Sequence, residues 1–226
     1  MSPLLIPPWL RRTLDQLYTF TFWRRFFQLN LGLMTFGLGL ALMLRAGIGL
    51  DPWSVFHEGV SVRTGLSFGR VTQLTGVALI VASYTVLRVK PGLGTVLNML
   101  VVGPWVNLFR SQTWLPSAES WALGTLQFML GVALLGLASG LYIAAKFGAG
   151  PRDGFVLGLS LSFKRSIRLT RAATELGVLL TGFALGGPPG LGTVLFALTI
   201  GYFMQVSLRL FGYHHWGPLK PGPATD

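Results

Sequence analysis

Long apolar runs dominate the chain, and short segments between them hold most of the charged residues. The runs 26–44 and 71–87 contain no charged residue, and each approaches the roughly 20 residues that a helix needs to cross a bilayer. The run 176–208 is too long for one helix, and the segment Gly186-Gly187-Pro188-Pro189-Gly190 divides it, because Pro removes a hydrogen-bond donor and Gly permits a reversal. The pattern predicts an all-α polytopic membrane protein. Its six expected spans are 26–46, 70–88, 92–110, 121–145, 170–186 and 191–210.

An internal repeat divides this pattern into two halves. The heptapeptide 91–97, Pro-Gly-Leu-Gly-Thr-Val-Leu, recurs unchanged at 189–195. Upstream of it, eight Gly, Pro, Phe and Ser positions recur 99 residues later, and Gly and Pro mark backbone requirements rather than mere apolarity. Each repeat contains three predicted spans, so the second copy must enter the membrane from the opposite side. Inverted repeats of this kind are a common plan of secondary transporters.

The basic residues predict the orientation of these repeats. Of the 18 Lys and Arg, 14 fall on one side and 4 on the other, which favours cytoplasmic termini. Within the N-terminal segment, the stretch Trp9–Trp23 is expected to be either an interfacial amphipathic helix or a loose basic tail. The organisation that we expect is a cytoplasmic N-terminal segment 1–25, repeat one at 26–110, a connecting loop 111–120, repeat two at 121–210 and a cytoplasmic tail 211–226.

Two equivalent segments, 47–61 and 148–160, are too long for a turn and too short to cross the membrane. Each opens with glycines, followed by Pro52 or Pro151 at the predicted first turn of a helix, where Pro is favoured because that position needs no N–H donor. Such a helix either dips into the membrane and points its positive end at a cavity or lies in the headgroup layer.

Ionisable and aromatic residues in and after these segments are the candidate substrate-binding groups. Asp51 precedes Pro52 and also suits a helix N-cap, whereas His57 is either a proton carrier or a headgroup-facing side chain. Arg171 and Glu175 are one helical turn apart and can pair, either structurally or as part of a functional site. The predicted site residues are Asp51, Trp53, His57, Glu58, Arg152, Asp153, Arg171 and Glu175.

Other kinds of chemistry find little support. The chain has no Cys, which excludes disulfides and thiol catalysis, and no His or carboxylate spacing matches a metal site. We therefore expect no enzymatic activity, no metal and no cofactor. The net charge of +11 follows from membrane topology, so no nucleic-acid partner is expected.

The two Gly-Pro motifs resemble the YczE branch of the bacterial YczE/YyaS/YitT membrane proteins. The resemblance rests on 49–61 with Thr64-Gly65-Leu66-Ser67, on 148–154, on Arg171-x-x-x-Glu175 and on 186–194, and it covers about residues 26–210. It implies a bacterial inner-membrane protein. Where the family pattern more often has Gly-Pro-Trp-Asp, this chain has Asp-Pro-Trp-Ser at 51–54.

The repeat then favours a transporter or channel-like permease for a small solute or ion, whose partners are the lipid bilayer and that solute. The alternative is a membrane scaffold or regulator that transports nothing. A homodimer is compatible with either hypothesis.

Overall fold

The computed structural model describes residues 19–165 and 167–211, which form eight α-helices and no strand. The helices are α1 (Phe20–Arg45), α2 (Pro52–Thr64), α3 (Phe68–Thr85), α4 (Leu93–Arg110), α5 (Trp121–Ala144), α6 (Pro151–Phe163), α7 (Ile167–Ala184) and α8 (Leu191–Leu210). The all-α prediction is confirmed. Helix α1 begins before residue 26, so Arg24 and Arg25 lie within it. Most of the predicted N-terminal segment and of the tail lies outside the described residues.

Three of the described helices, α1, α5 and α8, are long and apolar enough to cross a membrane. Helices α2 and α3 meet at an angle of 113° and together meet the same criterion as one broken element. Helices α4 and α7 occupy the positions of predicted spans but are not among these candidates. Length and composition therefore support three or four membrane spans directly, rather than six.

Helices α1 and α5 pack against each other in antiparallel orientation and form the centre of the protein. Gln28, near the start of α1, donates a side-chain hydrogen bond to Leu141 O near the end of α5 (3.0 Å). Gln127, near the start of α5, donates to Leu42 O near the end of α1 (3.2 Å). The buried apolar side chains of this contact include Leu29, Leu33, Leu40, Met43, Phe128, Val132 and Leu135.

The turns before α4 and α8 show the same reciprocity, because each of them contacts the other half of the chain. Thr95 and Thr193 accept hydrogen bonds from Gly92 N–H (3.0 Å) and Gly190 N–H (3.1 Å) at the starts of α4 and α8, so both threonines cap these helices. Four bonds then cross between the halves in equivalent pairs. They run from Gly94 N to Phe147 O and from Gly192 N to Ile48 O, both 2.7 Å, and from Thr95 Oγ1 to Ala149 O (2.6 Å) and from Thr193 Oγ1 to Leu50 O (2.7 Å).

Backbone conformation repeats as well. Among the described residues, every positive φ belongs to one of four pairs spaced 99 or 98 residues apart. The pairs are Gly47 with Lys146, Gly49 with Gly148, Gly65 with Lys164, and Arg88 with Gly186. Residues such as Lys146 (φ 61°) adopt this conformation although a side chain disfavours it. The halves therefore share their turns even where the residue type differs.

The likeness between the halves fails at one helix pair. In the first half α3 packs along α4, and a Cβ atom on Gly103 would overlap the carbonyl oxygen of Gly69. In the second half α7 is largely separated from α8, and a Cβ atom on Gly201, the counterpart of Gly103, would meet nothing within 4 Å. Where α3 carries small residues, α7 carries larger and charged ones. By position, Gly69 corresponds to Arg168, Thr72 to Arg171 and Gly76 to Glu175.

Replacement of these two equivalent glycines is therefore expected to have unequal effects. Gly103→Ala forces α3 away from α4 and lowers the free energy of unfolding by about 1–3 kcal/mol. Gly201→Ala has room and changes it by less than about 0.5 kcal/mol. Thermal unfolding of both purified variants in detergent measures the difference, and an equal loss in the two variants would contradict the described packing.

Candidate functional site

A partly open cavity of about 90 Å³ lies between the two halves of the chain. All eight helices contribute to its wall, from Phe36 on α1 to Met204 on α8. A buried site needs roughly 10–15 Å³ to hold one water molecule, so this cavity has room for several waters or for a small solute. Its wall combines apolar side chains such as Val102, Leu135 and Ile200 with charged groups.

The two short helices α2 and α6 both begin at this cavity. Asp51 caps α2, and its Oδ2 atom accepts a hydrogen bond from Ser54 N–H at 3.3 Å, which confirms the predicted N-cap. At the equivalent position the N-cap residue of α6 is Gly150, and no side chain caps this helix. Asp51 is buried, and its Oδ1 atom has no hydrogen-bond partner among the described residues.

Arg152 joins the two halves within the cavity. Its guanidinium carbon lies 5.0 Å from the centroid of the Trp53 ring, a cation–π distance. Its Nη1 atom is 3.9 Å from Asp51 Oδ2, and its Nη2 atom is 3.5 Å from His57 Nδ1. Trp53 and Arg152 are equivalent positions of the repeat, 99 residues apart. The same position of each half therefore supplies one partner of this stacked pair.

His57 is buried and does not face the headgroup layer. Thr72 Oγ1 lies 2.9 Å from Phe68 O and 3.2 Å from His57 Nδ1. A hydroxyl has a single proton, so a Thr72 hydroxyl that donates to Phe68 O accepts the Nδ1–H of His57. This arrangement makes His57 Nε2 an acceptor, and that atom is buried and without a partner among the described residues.

A second group of charged side chains lies across the cavity. Arg171 Nε is 3.0 Å from Glu175 Oε1, which confirms the predicted pair, and Arg171 Nη1 is 3.7 Å from Asp153 Oδ1. Tyr142 donates a hydrogen bond of 2.6 Å to Asp153 Oδ2. Helices α5, α6 and α7 are thus linked through Asp153.

The structure brings seven of the eight predicted site residues to the cavity wall. Glu58 lies elsewhere and forms an ion pair with Arg110 at 3.2 Å, because it is adjacent to His57 and points to a different side of α2. The cavity wall also contains Tyr142, Thr72, Ser139 and Asn98, none of which is among the predicted site residues. Tyr142 lies near the end of a span, where Tyr is common in any membrane protein, so its position gave no specific signal.

The charges of the cavity do not balance. Three carboxylates, those of Asp51, Asp153 and Glu175, share the wall with two guanidiniums, those of Arg152 and Arg171. The formal sum is one negative charge when His57 is neutral. Among the described residues no group of three or more His, Cys, Asp or Glu is arranged to hold a metal ion.

Comparison with known proteins places these residues in a wider group. Residues 23–209 match the family described as a family of unknown function, DUF6198. An uncharacterized protein of Haemophilus influenzae is 35% identical over 175 residues, which cover 77% of this chain and 78% of that protein. The uncharacterized membrane protein YczE of Bacillus subtilis is 30% identical, with 81% and 84% covered, and the uncharacterized protein YyaS of the same organism is 26% identical, with 82% and 92% covered. No solved structure matches the chain significantly.

The link through Asp153 can be tested by removing one hydroxyl group. Tyr142→Phe deletes a hydrogen bond to a carboxylate in a cavity wall and is expected to cost about 1.5–3 kcal/mol of unfolding free energy. Tyr202→Phe, at an exposed position of α8, is the matched control and should cost less than about 0.5 kcal/mol. Thermal unfolding in detergent measures both variants. Equal midpoints for Tyr142→Phe and the unmodified protein would show that this bond contributes nothing.

Proposed function

The chain is an integral membrane protein of the DUF6198 family, and we propose that it is a transporter that carries a small polar solute or ion across the bacterial inner membrane. The observation that supports this proposal most strongly is the charged cavity between the two halves of the chain. Ionisable side chains are costly within a bilayer and typically mark a solute or ion pathway.

The proposal includes six spans, formed by α1, α3, α4, α5, α7 and α8. The antiparallel contact of α1 with α5 supports opposite orientations of the two halves, because both helices are long enough to cross the bilayer. The axis that relates the halves then lies in the membrane plane, as in transporters built from inverted repeats. In this topology, the segments on the same side as the two termini hold most of the Lys and Arg residues, which supports cytoplasmic termini.

In this arrangement α2 and α6 are re-entrant helices that enter from opposite sides. Pro52, Trp53, Val55 and His57 of α2 are buried, which supports a position within the protein rather than on its surface. Irregular backbone is tolerated at membrane depth where it is buried in protein or lines a cavity. The turns before α2 and α6 meet this condition, because the other half hydrogen-bonds their carbonyl groups at Leu50 and Ala149.

The unequal helix pairs suggest how access to the cavity alternates. With α3 closed on α4 and α7 apart from α8, the proposed opening of the cavity lies beside Arg171 and Met204, near the cytoplasmic ends of α7 and α8 in this topology. The opposite state would exchange the two packings, so that α7 closes on α8 and α3 leaves α4. The equivalent turns of the two halves provide the same hinge positions for both movements.

Cross-linking in proteoliposomes tests this proposal, because the chain has no native Cys. Gln73 on α3 hydrogen-bonds Leu100 O on α4 at 2.7 Å, and the equivalent positions on α7 and α8 are Ala172 and Leu198. A radiolabelled panel of small polar solutes and ions is screened for flux. Both Gln73→Cys/Leu100→Cys and Ala172→Cys/Leu198→Cys should stop the flux when a reducible bifunctional reagent joins the two thiols, and reduction should restore it.

The single-cysteine variants treated with the same reagent are the controls. Flux that persists in either fully cross-linked pair would contradict alternating access. A protein that moves no member of the panel and co-purifies with one stoichiometric partner would instead support the scaffold alternative.

A further inference from the structure

The position that Arg152 occupies in the cavity, over the Trp53 ring and beside Asp51, indicates the chemistry of the solute. We propose that the cavity binds a small monovalent organic cation, which displaces the Arg152 guanidinium from the Trp53 ring and the Asp51 carboxylate. This inference deepens the proposed transport function by naming the substrate class, although binding itself does not depend on movement across the membrane.

The charge balance of the cavity favours a cation. Asp51, Asp153 and Glu175 exceed Arg152 and Arg171 by one negative charge, and uncompensated charge is costly in surroundings of low dielectric. A monovalent cation restores neutrality, whereas a monovalent anion would raise the excess to two negative charges.

The geometry around Trp53 also suits an organic cation. A flat guanidinium already lies over the Trp53 face at 5.0 Å, so this face accepts a cation of that shape. Arg152 does not satisfy Asp51 fully, because their closest distance is 3.9 Å, beyond hydrogen-bond range. Arg152 is also the side chain that the repeat places opposite Trp53. It therefore fills the position that we assign to the ligand and competes with it.

Two buried atoms near Arg152 lack hydrogen-bond partners among the described residues. Asp51 Oδ1 is an acceptor, and His57 Nε2 is an acceptor when Nδ1–H donates to Thr72. Both residues line the cavity and are almost completely buried, at 2% and 1% exposed. Buried polar atoms are normally hydrogen-bonded, and in this tautomer a ligand that moves Arg152 aside can donate N–H groups to both acceptors.

Two alternative ligands fit less well. A strongly hydrated metal ion needs several oxygen or nitrogen ligands, and the described residues hold no group of three or more His, Cys, Asp or Glu suited to one. A carboxylate could pair with Arg152 and with the uncapped start of α6, yet it would lie beside three carboxylates. Aromatic faces favour weakly hydrated organic cations.

Radiolabelled guanidinium is a direct probe, measured as equilibrium binding to the purified full-length protein in detergent. The unmodified protein should bind it saturably. Asp51→Asn and Trp53→Ala should each weaken binding at least tenfold, since they remove the carboxylate or the aromatic face. Arg152→Ala should strengthen binding at least tenfold, because the tethered competitor is gone. Arg152→Gln, which keeps a polar side chain of similar length, should do the same and serves if Arg152→Ala does not fold.

Glu58→Gln is the matched control, since it also removes one negative charge from α2 but lies outside the cavity in a pair with Arg110. It should leave the affinity unchanged, and thermal unfolding verifies that each variant is folded. Absence of saturable binding to both the unmodified protein and a folded Arg152 variant would overturn the proposal. So would weaker guanidinium binding in a folded Arg152 variant, or acetate binding that is lost with Arg152. Guanidinium binding without flux would leave this inference standing and count against transport.

Discussion

The antiparallel contact between α1 and α5 is the interaction on which the rest of the structure depends. Gln28 and Gln127 each donate to a carbonyl group near the far end of the other helix, so the contact is made twice, once in each direction. Contacts of that kind arise when two equivalent units are related by a two-fold axis. The same two-fold relation places the Gly-Thr turn of each half against the segment that precedes the short helix of the other half. Both short helices therefore begin at one cavity.

The halves share their turns and caps, and they differ in the residues at the cavity and in the packing of one helix pair. The turns with positive φ and the threonine caps are equivalent in both halves. At the cavity, Trp53 is opposed by Arg152, Thr72 corresponds to Arg171, and Gly76 corresponds to Glu175. Arg171 and Glu175 of α7 line the cavity. They occupy the positions at which α3 has smaller residues and packs on α4. These two differences add an ion pair to the cavity wall and accompany the separation of α7 from α8.

Sequence reasoning reached features that depend on local spacing and missed those that depend on packing. The N-cap at Asp51 and the pair of Arg171 with Glu175 follow from positions within one helical turn, where local geometry decides the contact. The hydrogen bond of Tyr142 to Asp153 joins two helices, and nothing in the spacing of these residues indicates it. The burial of His57 likewise depends on how α2 packs against its neighbours. The repeat was visible because Gly and Pro mark backbone geometry, whereas the separation of α7 from α8 requires the assembled fold.

Cysteine labelling from each side of the membrane tests directly whether the two halves cross the bilayer in opposite directions. Lys90 and Pro188 are exposed and equivalent residues of the turns before α4 and α8, and the chain has no Cys to react in the background. In intact cells, a membrane-impermeant maleimide should label Pro188→Cys and spare Lys90→Cys. In inside-out vesicles, the reagent should label Lys90→Cys and spare Pro188→Cys. Labelling of both positions from the same face would contradict the inverted arrangement of the two halves.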